Sequence, residues 1–187
     1  MRIAVLGWGS LIWDQGDLNV EGNWKENGPK LPLEFCRLSS FGDERERVTL
    51  VIDEILGIEC NSLWEIMKCS DLDEAIANLQ NREGCRANGI HFFNRVSQPK
   101  KNYEKNIHNF LLKENLDAVI WTALKSNWSD KRKCEYSQTE LWNYLNEKKG
   151  RLSYIEEYFT KAPPQVRTDG RNTFERFKES LSNNSIF

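Results

Sequence analysis

The sequence predicts an α+β fold in which a small curved or closed sheet carries helices at its side. Short apolar runs bounded by glycine and polar turns fill the first half of the chain, and helical periodicity dominates the second. Strands and helices do not alternate as they would in a regularly wound parallel sheet. At 187 residues the chain has one domain's length. Neither an internal repeat nor a long linker divides it, so residues 1–187 are read as a single domain around one core.

The elements follow in order. Arg2–Leu6 is an apolar run stopped by glycine and reads as a buried strand. Asp14–Lys30, rich in Gly and Asn, is a loop. Leu31–Ser39 and Val48–Asp53 are strands, joined by the charged Ser40–Arg47 stretch with its Gly42-Asp43 turn signal. Strand character returns over Gly57–Met67. Asp71–Arg82 is the first clear helix: Ser70 or Asp71 caps it, Asp73 and Glu74 sit in its first turn, and Leu72, Ala75, Ile76 and Leu79 share a face. Gly84 stands where such a helix stops. A strand over Ile90–Val96, a helix over Lys101–Glu114 and a strand over Asp117–Leu124 come next. Gln138–Lys148 is a helix with Leu141, Trp142 and Leu145 inward. Leu152–Phe159 and Thr173–Leu181 are helical pieces on either side of Pro163-Pro164, and the helices from about 137 onward pack on the sheet or cap it.

Charge and composition exclude several classes. With 39% hydrophobic and 29% charged residues the chain is ordinary for a globular protein, and a net charge of −2 leaves no basic face for nucleic acid. The one tight basic cluster, Lys131-Arg132-Lys133, lies between Asp130 and Glu135 and reads as a solvated loop. Five cysteines, an odd number without a Cys-x-x-Cys pair, suit free thiols in a reducing compartment. The apolar start Met1–Leu6 is too short for a secretory segment. No stretch reaches the ~18 apolar residues of a membrane span. A soluble, cytoplasmic protein is expected. His91 and His108 lie at no ligand spacing from a cysteine, which argues against zinc.

Two stretches carry candidate chemistry. In Val5-Leu6-Gly7-Trp8-Gly9-Ser10-Leu11-Ile12-Trp13 a strand runs into two glycines around a large aromatic. Positive-φ glycines there would gather several N–H groups into a nest for a carboxylate, a phosphate or an oxyanion. The plainer account is a tight turn that packs aromatics. A dinucleotide fingerprint fails at Ile12, and the Gly-Lys-Ser/Thr of a Walker loop is missing. The second stretch, Leu79-Gln80-Asn81-Arg82-Glu83-Gly84, sets a carboxylate at a helix C-terminus, where the dipole raises its pKa toward that of a useful acid–base. The plainer account is a surface Glu83 paired with Arg82 or Arg86. Asp14, Asp53, Glu54 and Glu65 read as surface or loop charges.

Together these stretches resemble the γ-glutamylcyclotransferases, especially the ChaC-type branch. Gly7-Trp8-Gly9-Ser10-Leu11-Ile12-Trp13 is similar to that family's Gly-Tyr-Gly-Ser-Leu-(Ile-Trp) signature, and Leu79–Gly84 to its Leu-x-x-Arg-Glu segment. Phe35-Cys36-Arg37-Leu38-Ser39-Ser40 and Val48-Thr49-Leu50-Val51 resemble the second and third strands, and Asp117–Leu124 a late strand. The resemblance runs in order over about positions 1–125. It implies a mixed barrel of about six strands with flanking helices and a cavity at its mouth. It also implies release of 5-oxoproline from a small γ-glutamyl amine or peptide, with no metal or cofactor, by a monomer or weak homodimer. Glu83 matches the catalytic acid–base. Gly7, Trp8, Gly9, Ser10 and Leu11 match the substrate loop, the amides of Gly9, Ser10 and Leu11 holding a carboxylate or the oxyanion. Arg37 is a candidate for a substrate carboxylate, with Arg45 and Arg47 as alternatives. Trp8 departs from the family's tyrosine, removing a hydroxyl, and Cys85 departs from its usual glycine or aromatic.

Other readings stand beside this one. The scaffold could serve γ-glutamyl transfer or lysis on a modified amine. It could also be a non-catalytic module binding a carboxylate ligand or a protein, with Trp8, Trp13 and Trp24 forming a partner surface. A glycine-loop phosphate binder is the weakest reading.

Overall fold

The computed structural model describes residues 1–39 and 46–183. Among them lie seven strands and six α-helices. In chain order they are β1 (Ile3–Gly7), β2 (Lys30–Ser39), β3 (Arg47–Ile52), β4 (Ile58–Asn61), β5 (Leu63–Ile66), α1 (Leu72–Glu83), β6 (Ile90–Asn94) and α2 (Asn102–Lys113). Then come β7 (Ala118–Thr122), α3 (Trp128–Arg132), α4 (Gln138–Glu147), α5 (Leu152–Lys161) and α6 (Asp169–Asn183). The mixed α+β class is as expected. Ser40, the Gly42-Asp43 turn and Arg45 lie outside the described residues.

The expected closed barrel is not formed among the described residues. The strands fall into two sheets, one ordered β5-β1-β7-β6 and the other β3-β2-β4. In the first, β1 is parallel to β7 and antiparallel to β5; the second is wholly antiparallel. The chain passes from one sheet to the other at Ser62, which splits the single expected strand over Gly57–Met67 into β4 and β5. Ser62 is buried, its hydroxyl donates to the Pro29 carbonyl at 2.8 Å, and its own carbonyl accepts from Gly28 N–H. The loop after β1 reaches β3 through a side chain, the Leu50 carbonyl accepting the indole N–H of Trp8 at 3.4 Å.

Strand alternation sorts the core. Ile3 and Val5 of β1, with Ala118 and Ile120 of β7, face Ala75 and Leu79 of α1. Ala4, Leu6, Val119 and Trp121 face the larger core shared with the second sheet and the later helices. β1 is therefore apolar on both faces, as a central strand covered on both sides must be.

The C-terminal helices dock on β2 through aromatic stacking and two buried charges. Phe35 stacks on Phe159 of α5 at 4.1 Å, and Phe159 on Phe174 of α6 at 4.4 Å. Arg171 donates to the carbonyls of Phe159, Ala162, Pro163 and Val166 at 2.8–2.9 Å, joining α6 to the end of α5 and the proline turn. Glu34 of β2, fully buried, accepts from Phe35 N–H at 2.7 Å and from Gly170 N–H at 3.0 Å at the start of α6.

Three local expectations change. Lys131-Arg132-Lys133 is not a solvated loop. Trp128, fully buried, anchors the short α3, Arg132 holds Glu147 through two 2.7 Å bonds, and Lys133 ends the turn at φ +60°. In α4, Tyr144 is the fully buried aromatic, while Trp142 is half-buried against Phe177. Glu65 is not a surface charge. It is buried in β5, where its carboxylate accepts from Ile66 N–H at 2.8 Å. Asp53 closes a turn by accepting from Ile55 and Leu56, and Glu54 pairs with Lys101 at 2.5 Å.

Burial pushes the Glu34 carboxyl above the usual carboxylate range, against the N–H of Phe35, the Thr168 hydroxyl and the N–H of Gly170, which favour its charged form. A raised folded-state pKa means that the folded chain keeps this proton longer than the unfolded one. The stabilisation linked to it is complete at low pH and declines as pH rises from the ordinary carboxylate range through the raised value. Glu34→Gln, which keeps an acceptor for both amides, should therefore show a flatter fall in melting temperature between pH 4 and pH 8 than the parent. Parallel pH profiles of the two proteins would contradict this account.

Candidate active site

The gap between the two sheets is a cavity of about 770 Å³. Every site residue expected from the sequence lines it: Gly7, Trp8, Gly9, Ser10 and Leu11 on the loop after β1, Glu83 at the end of α1, and Arg37 on β2. The glycine loop and Glu83, more than 70 residues apart in sequence, thus share one enclosure. Arg47, Arg82, Arg86, Asp14 and Cys85 also reach it. Trp8, Trp13 and Trp24 do not form an exposed partner surface. Trp8 is buried, and the other two are half-buried against the core.

The glycine loop works differently from the expected nest. Neither Gly7 nor Gly9 has positive φ; among the described glycines only Gly16, Gly22 and Gly84 do. Close approach is what requires them. A β-carbon at Gly7 would stand 2.7 Å from Trp24 and from Ile12. One at Gly9 would stand 2.3 Å from the phenolic oxygen of Tyr158. After Gly9 the chain makes a tight turn, with Ile12 N–H donating to Gly9 carbonyl at 3.0 Å and Asp14 N–H to Ser10 carbonyl at 2.8 Å. Among the described residues the N–H groups of Gly9 and Leu11 donate no hydrogen bond, and that of Ser10 makes a long 3.4 Å contact to the Tyr158 oxygen. Two amides are thus uncommitted and a third weakly held.

Helix α1 delivers the carboxylate. Asp71 caps its start by accepting from Glu74 N–H at 2.9 Å, and Gly84 ends it at φ +58°, a left-handed position that favours glycine. Glu83 is its last residue. Its side chain is 16% exposed and pairs with Arg82 at 3.0 Å. The pairing foreseen for a surface glutamate is present, but in the cavity wall. Burial is the leading cause that pushes the Glu83 carboxyl above the usual range, and the Arg82 guanidinium pulls the other way. Desolvation thus does what the helix end was expected to do. Arg82 also donates to the Ser10 hydroxyl at 3.4 Å and to the Asp14 carbonyl, tying the loop to the helix.

Tyr158, on α5, is the contributor that local sequence reading misses. It is buried, packs edge-on against Trp13 at 5.1 Å and Phe35 at 6.2 Å, and has the Arg47 guanidinium 5.6 Å from its ring centre. The inward pattern of Ile155, Tyr158 and Phe159 signals a buried face, and a buried phenol needs a polar partner. Nothing nearby in sequence says that this partner is position 10. Of the three arginines weighed for a carboxylate, Arg37 and Arg47 line the cavity. Arg37 donates to the Lys125 carbonyl at 2.6 Å. No group of three or more His, Cys, Asp or Glu side chains among the described residues is placed to hold a metal.

No protein-family model matches the chain, and no curated protein matches it either.

A methyl group at position 9 must displace a phenol packed between Trp13 and Phe35. Gly9→Ala should lower the unfolding free energy by about 1–3 kcal/mol, and combining it with Tyr158→Phe should recover part of that loss. Urea denaturation of the two single variants and the double variant tests this. Strict additivity would show that the contact is not the cause.

Proposed function

We propose that this protein is a γ-glutamyl cyclotransferase with a γ-glutamylcyclotransferase-like arrangement of its elements, and that it acts on a small γ-glutamyl amine or peptide. What supports the reading most is that one half-buried carboxyl, Glu83, and two residues with uncommitted amides, Gly9 and Leu11, line the same cavity. Intramolecular aminolysis needs little else, because nucleophile and electrophile belong to one molecule and the enzyme's main task is to hold the reactive rotamer.

In this scheme Glu83, ionised, takes a proton from the substrate's α-ammonium. The freed amine attacks the γ-carbonyl carbon, a C–N bond forms, and the five-membered ring closes with an oxyanion. The amides of Gly9 and Leu11 stabilise that oxyanion, each well-placed donor contributing about 3 kcal/mol. Ser10 N–H joins them when it leaves its long contact with Tyr158. The amide C–N bond then breaks as the leaving nitrogen is protonated through Glu83. Two protons in all pass from the attacking to the leaving nitrogen, and Glu83 ends as it began. The products are 5-oxoproline and an amine or peptide.

Glu83 must be charged to begin, so activity should fall as pH drops through its raised pKa, with the acid limb above the ordinary carboxylate range. Arg82 favours the charged form. Its removal in Arg82→Met should move that limb to higher pH. Glu83→Gln should reduce 5-oxoproline release by about 10²-fold or more. Steady-state kinetics across pH 5–9 on a γ-glutamyl substrate panel test all three. A fully active Glu83→Gln protein would end the assignment.

A further inference from the structure

We infer that the outer edge of β6 is a pairing surface for a second copy of this chain, joined antiparallel about a twofold axis at Phe92. The inference is independent of the cyclotransferase reading. A strand at the end of a sheet presents unpaired N–H and C=O groups, and folded chains ordinarily cover, shorten or charge such an edge. Three of the four sheet ends are managed in these ways. Beside β5, the loop before β2 adds bridges of Val20 with Met67 and of Lys25 with Trp64. β3 meets the Trp8 indole at its Leu50 carbonyl, and α5 packs against it. β4 has only four residues, and the exposed Glu59 is one of them. β6 is the fourth end. Its Ile90-His91-Phe92-Phe93-Asn94 run contains no Lys, Pro or acidic residue, and among the described residues no strand lies beyond it.

The register shows which groups are free. Ala123 N–H donates to the Gly89 carbonyl at 2.8 Å, so Gly89 with Ala123 is a bonded pair and the antiparallel ladder alternates from there. His91 and Phe93 turn their N–H and C=O groups toward β7, whereas Phe92, opposite Ile120, turns both of its own outward. Asn94 also faces out, but Ser97 occupies it: Asn94 N–H donates to the Ser97 hydroxyl, and Ser97 N–H to the Asn94 carbonyl, each at 3.1 Å. Phe92 is therefore an open rung, and the residue is 42% exposed. An identical strand is its complement. About a twofold axis at Phe92, the N–H of each copy meets the C=O of the other, and the two phenyl rings face each other as a cross-strand aromatic pair. On the opposite face His91 falls across from Phe93 of the second copy. Arg95, the first charged residue after the strand, falls across from Gly89, so no like charges are opposed. A pair of five-residue strands buries less than the ~1,200 Å² of a stable interface, which makes the dimer a weak one.

Sedimentation velocity on the full chain from about 1 µM to about 500 µM should show reversible monomer–dimer exchange, as an interface of this size implies. Phe92→Lys, which sets two ammonium groups against each other across the axis, should weaken association by about tenfold or more. Ile55→Lys, at an exposed apolar position on another turn, should leave it unchanged. Amide exchange followed by NMR gives a second reading on the unaltered protein. The Phe92 amide should gain protection as concentration rises, while those of His91 and Phe93, bonded to β7, stay protected throughout. A monomer at every concentration overturns the inference, as does a dimer that Phe92→Lys leaves intact. If Phe92→Lys does not fold, a Phe92 amide whose exchange is insensitive to concentration overturns it instead.

Discussion

The phenolic oxygen of Tyr158 lies against the backbone of Gly9 and Ser10 in space that a single β-carbon would fill. This contact joins a helix near the end of the chain to a loop near its beginning, and it fixes one rim of the cavity. It holds only if α5 is held. That work falls to Arg171, which gathers four carbonyls, and to Glu34, which caps α6 from inside β2. A buried guanidinium bonded to carbonyls, with the Glu175 carboxylate 3.9 Å from its Nε, is effective here because each bond is charge-assisted. The stacked Phe35, Phe159 and Phe174 supply the apolar part of the same joint.

That the two sheets do not close among the described residues makes room for the cavity. A barrel continued by strand pairing would bring the end of β1 and the outer edge of β3 together through backbone hydrogen bonds. Instead the Trp8 indole crosses the gap to the Leu50 carbonyl. That one carbonyl is satisfied without the chains approaching to ladder distance. The bulk of Trp8, where the resembled signature has tyrosine, thus has a structural task.

Local physics decides the features around α1 that its sequence shows. The cap at Asp71, the stop at Gly84 and the position of Glu83 at the helix exit follow from capping and periodicity over a dozen residues. The glycines of the loop were located but misjudged: a single sequence cannot separate a glycine needed for its φ from one needed for a neighbour's approach, and here the neighbours are Trp24 and Tyr158. Glu65 was misplaced outside because the strand-like run over Gly57–Met67 does not show that it divides at Ser62 between two sheets. That Arg37 and Arg47 line one cavity lies beyond local pattern for the same reason, since they meet there only once β2 and β3 pair.

Arg82 shows how the site holds its shape while its charge changes. It contributes to the charged state of Glu83, and it also bonds the Asp14 carbonyl and the Ser10 hydroxyl. When Glu83 takes up a proton, the attraction between neighbours 82 and 83 weakens, but the two contacts to the loop do not depend on that charge. The guanidinium therefore has a reason to stay, and in the proposed mechanism the loop amides keep their position through the proton transfer. A site that must hold an oxyanion while its acid–base alternates between two states needs this separation. Donors that moved with each protonation would lose the preorganisation that makes them effective. Placing one arginine between a titrating carboxyl and two neutral acceptors provides it.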